Sequence, residues 1–329
     1  MGEIDISVKN FLKINTVFAQ LFSQGVYGGK VNIAPEKLQE LDTAGQDAVL
    51  LSSGQLKGVE RIRDAQKVSM LFDNKMAFQI IMGIEGQTGV NYYMPVRCME
   101  LDAISYSSQC RKISENAREH GKLKKFADGV PKGSRILPVV TLVFYYGSEP
   151  WDGPLCVYDM LDIPEEMKEW AGNTIPDYRM NIIDAKHMTD EEVGQFDGDL
   201  KAFLLLLRER YDREQLRRAV ATHRETWYAI GTIKKDKRYI EYINRVSDAD
   251  VAGGVNMDAT LDYLITEGET RGEARGEARG EARGEARGKD KINRLIVLLS
   301  KDGRTEDILK FAQNSDYQTK LLKEYGLED

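Results

Sequence analysis

The stretch from Ile136 to Tyr146 constrains the fold most, because it is almost continuously apolar and rich in β-branched and aromatic residues. A strand with one solvated face alternates apolar and polar residues, whereas a strand buried on both faces gives a continuous apolar run. The stretch therefore predicts a central strand that is covered on both sides. Helical patterns precede and follow it. We therefore expect an α/β fold with a mixed central sheet flanked by helices, rather than a helical bundle or a β-sandwich.

Two more apolar runs, over residues 68–72 and 77–84, lie upstream and are separated by Asp73-Asn74-Lys75. Two short strands joined by a polar turn predict a β-hairpin. Another short strand is expected over 178–184. Apolar residues at helical spacing predict helices over 14–22, from Pro95 to about Ile113, and in one long amphipathic segment from Asp190 to Arg218.

The chain is expected to have four parts: a domain over residues 1–215, a helical extension over 216–267, a Gly-Glu-Ala-Arg tract over 268–288 and a helical module over 289–329. Four tandem Gly-Glu-Ala-Arg units fill 272–287. A glycine in a helix costs about 1 kcal/mol relative to alanine, whereas Glu–Arg pairs at helical spacing return only a few tenths of a kcal/mol each. A solvated linker is therefore favoured, and a long exposed helix with a glycine seam is the alternative.

The C-terminal module contains one apolar helical stripe, formed by Ile292, Leu295, Ile296 and Leu299. Such a stripe has to be buried against something. A second copy of the chain is an economical way to bury it, so a homodimer through the C-terminal helices is expected as one partner.

Charge and residue counts exclude several classes of protein. Lys and Arg number 46 against 53 Asp and Glu, so the formal net charge of -7 excludes a uniformly basic nucleic-acid wrapper but not a local basic cleft. Three cysteines and three widely separated histidines favour neither a secreted disulfide framework nor a spaced zinc motif. The acidic first residues do not resemble a signal peptide, and no apolar run approaches the ~20 residues that span a bilayer. We expect a cytoplasmic protein without a membrane segment.

The residues with the clearest chemical potential flank the predicted hairpin. Asp64 lies at the start of the first strand, and Glu85 and Gln87 lie near the end of the second. Strand alternation places Glu85 and Gln87 on one face of the sheet, and a hairpin returns the end of its second strand towards the start of its first. Two converging carboxylates beside an amide would suit Mg²⁺. Acidic residues are also common at solvated strand ends, which is the favoured interpretation from spacing alone.

This block resembles the core of a PD-(D/E)XK nuclease in which glutamine replaces the final lysine. More specifically, the chain resembles the transposase-associated, recombination-promoting nucleases called Rpn-like or YhgA-like. The resemblance spans roughly residues 15 to 210. It is carried by residues 18–22 with 27–29, Arg63-Asp64, residues 83–88 followed by 93–97, residues 142–147 and residues 151–154.

The resemblance implies a restriction-endonuclease-like core whose catalytic residues are Asp64, Glu85 and Gln87. Asp64 and Glu85 would hold Mg²⁺ or Mn²⁺, and Gln87 would orient the attacking water. Arg63, Arg97 and Gln109 are the expected substrate-binding residues. A plain surface arginine is the alternative for Arg97, and packing is the alternative for Gln109.

The sequence departs from the family pattern at two positions. Gln20 stands where the family often has an acidic residue on the first helix. Gly86 lies in the interior of the second hairpin strand, where a glycine indicates either a bulge or the close approach of another group to the backbone.

The expected function is a metal-dependent DNA endonuclease, with DNA as its partner. Two other functions remain open at this point. One is a catalytically inactive nuclease fold that binds DNA or protein, and the other is an interaction protein that oligomerises through its C-terminal helices.

Overall fold

The computed structural model describes residues 3–41, 44–50, 56–73, 76–121 and 129–327. It divides into two compact units, Met1–Leu261 and Asp262–Asp329, and each is described by itself. The predicted hairpin turn at Asn74-Lys75 and residues 122–128 of the basic segment before the central strand lie outside the described residues. Among the described helices, none combines the length and the apolar character that crossing a membrane requires.

The first unit is built on a five-stranded mixed sheet. Strands β1 (Gln39–Glu40), β2 (Ala44–Leu50), β3 (Leu56–Ile62), β4 (Ala65–Asp73), β5 (Met76–Gln87), β6 (Val139–Tyr145) and β7 (Asn181–Asp184) follow one another in the chain. The sheet has the order β1-β4-β5-β6-β7, and β2 pairs with β3 in a separate two-stranded sheet. Strands β4 and β5 are antiparallel, whereas β5, β6 and β7 are parallel. The predicted hairpin and the predicted mixed α/β sheet are both confirmed.

The helices of the first unit surround this sheet. They are α1 (Glu3–Lys13), α2 (Asn15–Gln20), which continues as a π-helix over Leu21–Val26, α3 (Met94–Glu119), α4 (Lys168–Thr174), α5 (Asp190–Gly194), α6 (Gly198–Arg208), α7 (Arg213–Arg218), α8 (Arg224–Ile233), α9 (Arg238–Arg245) and α10 (Asp248–Gly253). A short antiparallel pair, β8 (Val220–Ala221) and β9 (Val255–Asn256), joins the chain before and after the last three helices.

Strand β6 is the central strand that the apolar run predicts. On one face Val143 packs with Met94 and Cys98 of α3. On the other face the ring of Phe144 lies 6.1 Å from the ring of Phe203 in α6. Both faces are therefore covered, which explains why the strand has no polar alternation.

The single long helix predicted from Asp190 to Arg218 is wrong. The segment forms three short helices, because Gly198 has φ 56° and Glu209 has φ 58°. A left-handed residue cannot continue a right-handed helix. The apolar periodicity of the segment continues across both helix breaks, so the sequence pattern does not indicate where the helices end.

The second unit contains most of α11 (Met257–Lys301), followed by α12 (Thr305–Gln313) and α13 (Ser315–Glu324). The four Gly-Glu-Ala-Arg units over 272–287 are helical and exposed throughout, so they form the long exposed helix and not the favoured linker. Leu295 and Leu299 are fully buried against Phe311 and Leu321. The apolar stripe expected to need a second chain is thus covered inside its own unit.

Candidate active site

The candidate site lies at the edge of the sheet where the parallel strands β5 and β6 end. Ala65 at the start of β4 pairs with Ile84 of β5, so that Asp64 lies beside Glu85. Gln87, the last residue of β5, pairs with Tyr145, the last residue of β6. The hairpin therefore returns Glu85 to Asp64, as the sequence predicts. The carboxyl ends of parallel strands are where ligands bind in open α/β sheets.

Asp64 is held in place by two contacts. The Gly86 N–H donates to Asp64 Oδ2 at 2.7 Å. The ammonium group of Lys9, from α1, lies 2.8 Å from Asp64 Oδ1. A Cβ at position 86 would lie 3.3 Å from Asp64 Oδ2, so glycine allows the carboxylate to reach the backbone. The pairing of β5 with β6 continues through Gly86 without a break. Close approach, not a bulge, therefore accounts for this glycine.

Glu85 is fully buried beside Asp64. Arg97 donates from Nε and Nη2 to Glu85 Oε2, at 3.1 and 2.9 Å. The other oxygen, Oε1, is buried without a hydrogen-bond partner among the described residues. Burial, and secondarily the charge of Asp64, raises the pKa of Glu85 from its ordinary value of 4.5 to about 7, although Arg97 opposes this rise. A buried carboxylate with an unsatisfied oxygen is costly, and a bound water, a bound ion or a catalytic role can account for such a cost.

Asp64 lines a polar cleft of about 250 Å³, which we call the carboxylate cleft. Its wall is formed by residues of α1, β5, α3 and the segments around them: Val8, Lys9, Leu12, Asp64, Gly86, Gln87, Thr88, Arg97 and Tyr146. Glu85 lies just behind this wall. The cleft is therefore lined by one half-buried carboxylate, an amide and two cationic side chains.

Among the predicted substrate-binding residues, only Arg97 lines the carboxylate cleft. Arg63 is 3% exposed, and its Nη2 lies 2.7 Å from Asp102 Oδ1. The Gln109 amide donates to the Leu137 carbonyl at 3.2 Å and accepts from the Leu137 N–H at 2.7 Å. Both side chains are committed to the fold, so their placement gives no support for a contact with substrate.

Gln20, the position at which the family often has an acidic residue, does not line the carboxylate cleft. Its amide donates to the Asp197 carbonyl at 3.2 Å and accepts from the Asp197 N–H at 2.7 Å. An amide can make both bonds, whereas a carboxylate can only accept. Gln20 therefore fixes the chain just before α6.

Lys9 is the site residue that the sequence did not reveal. It lies on α1, a helix that was not predicted. Val8, Phe11 and Leu12 are fully buried there and have the i, i+3, i+4 spacing of an amphipathic helix. That spacing could have identified the helix, but nothing in the sequence shows that Lys9 would meet Asp64.

A second cleft, of about 420 Å³, lies near the end of β7. Here His187 Nδ1 lies 2.7 Å from Asp184 Oδ1, and the Trp151 N–H donates to Asp184 Oδ2 at 3.0 Å. None of the predicted site residues lines this cleft.

Within the described residues, no group of three or more His, Cys, Asp or Glu side chains is arranged to hold a metal ion. The pair of Asp64 and Glu85 would thus need water and substrate to complete the coordination of a metal ion. Mg²⁺ usually takes one or two carboxylates and fills its other positions with water and substrate phosphate. The hard oxygens of the pair, and the unsatisfied Oε1 of Glu85 in particular, fit that ion.

Residues 123–236, about a third of the chain, match the family model described as putative transposase, YhgA-like. No curated protein and no solved structure matches the chain. The matched region includes two of the stretches that carry the resemblance, residues 142–147 and 151–154, but it does not include Asp64, Glu85 or Gln87. The YhgA-like resemblance expected from the sequence is therefore confirmed over residues 123–236.

Proposed function

We propose that this protein is a Mg²⁺-dependent endonuclease that hydrolyses phosphodiester bonds in DNA. The observation that carries the proposal is the fully buried Glu85, with its unpartnered Oε1, next to Asp64 at the rim of a polar cleft. A protein that needed Glu85 only for its fold would be more stable with a neutral residue there. The burial cost is understandable if the carboxylate serves a bound cation.

The proposed metal ligands are Asp64 and Glu85. A bound Mg²⁺ or Mn²⁺ would supply an activated water and would neutralise charge that develops on the phosphodiester. Glu85 would use Oε1, because Arg97 already occupies Oε2. Asp64 is aligned by the Gly86 N–H, whose bond at 2.7 Å fixes the carboxylate before any ligand arrives.

The proposed role of Gln87 is to orient the attacking water. Its side chain lines the same cleft, two residues beyond Glu85 on β5. An amide can both donate to and accept from water, but it carries no charge that would stabilise hydroxide. Charge stabilisation in the cleft would instead come from Arg97 and Lys9, which also line it and can meet a phosphate.

DNA is the proposed substrate because the chain matches a transposase family and the carboxylate cleft contains two cationic side chains. The restriction-endonuclease-like core is part of the same proposal. It is supported by a mixed sheet in which an acidic residue precedes β4 and a second one lies near the end of β5.

A plasmid-nicking assay tests this function. Wild-type protein should convert supercoiled DNA to the open circular form with Mg²⁺ and should not do so with EDTA. The Asp64→Ala variant has lost an oxygen ligand of the metal. It should therefore nick in Mg²⁺ no faster than the wild type does in EDTA. Asp162→Ala is the matched control, because it removes an exposed carboxylate that does not line the cleft, and it should nick like the wild type. Nicking by Asp64→Ala at the wild-type rate would show that the activity has another source.

A further inference from the structure

Lys9 is held against Asp64 by the way α1 packs. Val8, Phe11 and Leu12 of this helix are fully buried, and the ring of Phe11 stacks on that of Phe203 at 4.3 Å. The side chains of Lys9 and Asp64 are only 19% and 15% exposed. Their contact at 2.8 Å is therefore half-buried at the wall of the cleft and is positioned by the packing of α1, unlike the loosely held ion pairs of an open surface.

Each carboxylate of the site has a cationic side chain of its own. Arg97 pairs with Glu85, and Lys9 pairs with Asp64. The two acids and the two bases cancel in charge. A divalent cation that binds both carboxylates must therefore compete with these cationic side chains, and it can displace one of them.

The geometry indicates which cation gives way. Arg97 holds Glu85 by two hydrogen bonds to a single oxygen and leaves the other oxygen unoccupied. At Asp64, the Gly86 N–H takes Oδ2 and Lys9 takes Oδ1. Each carboxylate oxygen keeps a second lone pair, but Oδ1 is the Asp64 oxygen that the backbone does not hold, and it is the one that Lys9 covers. An ammonium on a flexible four-carbon stem moves more easily than a guanidinium held by two bonds.

We propose that Lys9 is an exchangeable counter-ion of Asp64. It neutralises Asp64 when no metal is bound, leaves Oδ1 when a divalent cation binds, and then donates hydrogen bonds from its ammonium group to the phosphate of the substrate. This inference rests on the proposed function, because it assumes that Asp64 and Glu85 bind a divalent cation. It assigns Lys9 opposite effects on two ligands, since Lys9 opposes the metal and favours the phosphate.

Two binding measurements on the full-length chain test this role without measuring cleavage. The affinity for Mn²⁺ is measured from the electron paramagnetic resonance signal of the free ion. The affinity for a fluorescein-labelled DNA duplex is measured by anisotropy in Ca²⁺. The variants are Lys9→Met, Lys9→Arg and, as a matched control, Lys168→Met, which removes an exposed lysine paired with Glu165.

Lys9→Met should bind Mn²⁺ about tenfold more tightly than the wild type and DNA about tenfold more weakly, because a unit charge a few ångströms away has effects of this order. Lys9→Arg should keep a DNA affinity close to that of the wild type, because the charge is retained. It should bind Mn²⁺ more weakly, because a guanidinium holds Asp64 more firmly than an ammonium does. Lys168→Met should change neither affinity. Lys9→Gln replaces Lys9→Met if the latter fails to fold by circular dichroism.

An unchanged or weaker affinity for Mn²⁺ in the neutral Lys9 variants would overturn the proposed exchange, and an unchanged DNA affinity would overturn its phosphate step. The Mn²⁺ affinity of Glu85→Gln shows whether only the proposed role of Lys9 is wrong or whether the proposed metal site is wrong as well. If wild type binds Mn²⁺ and Glu85→Gln does not, the metal site stands whatever Lys9 does. If wild type has no Mn²⁺ site, or Glu85→Gln binds Mn²⁺ equally well, both proposals are wrong.

Discussion

Replacing Glu85 with Gln should abolish cleavage and, without metal, should make the protein more stable than the wild type at pH 8. Cleavage should fall by at least about a thousandfold, because the oxygen that remains is a much poorer metal ligand than a carboxylate. DNA affinity should be nearly unchanged or slightly higher, since one negative charge near the phosphate is lost. Gln has the shape of Glu and can still accept from Arg97, so the packing should be preserved.

The stability gain should depend on pH in a definite direction. The pKa of Glu85 is about 7 in the folded protein, against an ordinary value of 4.5. A pKa that is raised by folding contributes stability that is complete below pH 4.5 and is lost as the pH rises through 7. At about 1.4 kcal/mol per pH unit, the loss in wild type is about 3 kcal/mol. Glu85→Gln should escape this loss.

Urea unfolding in EDTA at pH 5 and pH 8 measures the effect. From pH 5 to pH 8, the free energy of unfolding should fall more in the wild type than in Glu85→Gln. Glu165→Gln changes an exposed side chain and should parallel the wild type at both. If Glu85→Gln is less stable than the wild type at pH 8, the burial of the Glu85 charge is not a cost to the fold. A principal reason for assigning Glu85 to a bound cation would then be lost.

Replacing Arg63 with Met should lower the free energy of unfolding by about 3–5 kcal/mol, because it leaves a buried carboxylate without its cation. The Arg63 guanidinium contacts Asp102 and the Thr141 hydroxyl, and Tyr178 donates to the other oxygen of Asp102 at 2.6 Å. All of these groups belong to the packing between α3 and the sheet. Gly83 is part of the same arrangement, because a methyl group at that position would overlap the guanidinium.

Urea unfolding at pH 7 measures this loss. Arg218→Met removes an exposed partner of Glu214 and should change the free energy of unfolding by less than about 1 kcal/mol. Adding Asp102→Asn to Arg63→Met should recover part of the loss, since the unpaired charge is then removed. If Arg63→Met is nearly as stable as the wild type but binds DNA much more weakly, Arg63 contacts the substrate, as the sequence predicted.

Much of the fold could be predicted, because it follows from local patterns. The continuous apolar run predicts the central strand β6, and the two apolar runs on either side of Asp73-Asn74-Lys75 predict the hairpin. Both predictions are confirmed. The breaks within Asp190–Arg218 could not be predicted in the same way. They depend on positive φ at Gly198 and Glu209, and a glutamate gives no sign in the sequence that it will adopt this conformation.

The candidate site was only partly predictable for a related reason. Asp64 and Glu85 are neighbours in a hairpin, so pattern and register place them together. Lys9 reaches Asp64 through the tertiary packing of α1, which no spacing in the sequence encodes. The same limit applies to Arg63. It lies next to Asp64 in sequence, yet it points into the core towards Asp102.

Plasmid nicking in Mg²⁺ by Asp64→Asn, Glu85→Gln and the double variant tests most directly whether the two carboxylates act as one metal site. Residues that act as a unit have strongly non-additive effects. Each single variant should therefore lose as much activity as the double variant, and all three should nick at the rate of the wild type in EDTA. Single variants that keep substantial Mg²⁺-dependent nicking, or losses that multiply in the double variant, would contradict a shared metal at Asp64 and Glu85.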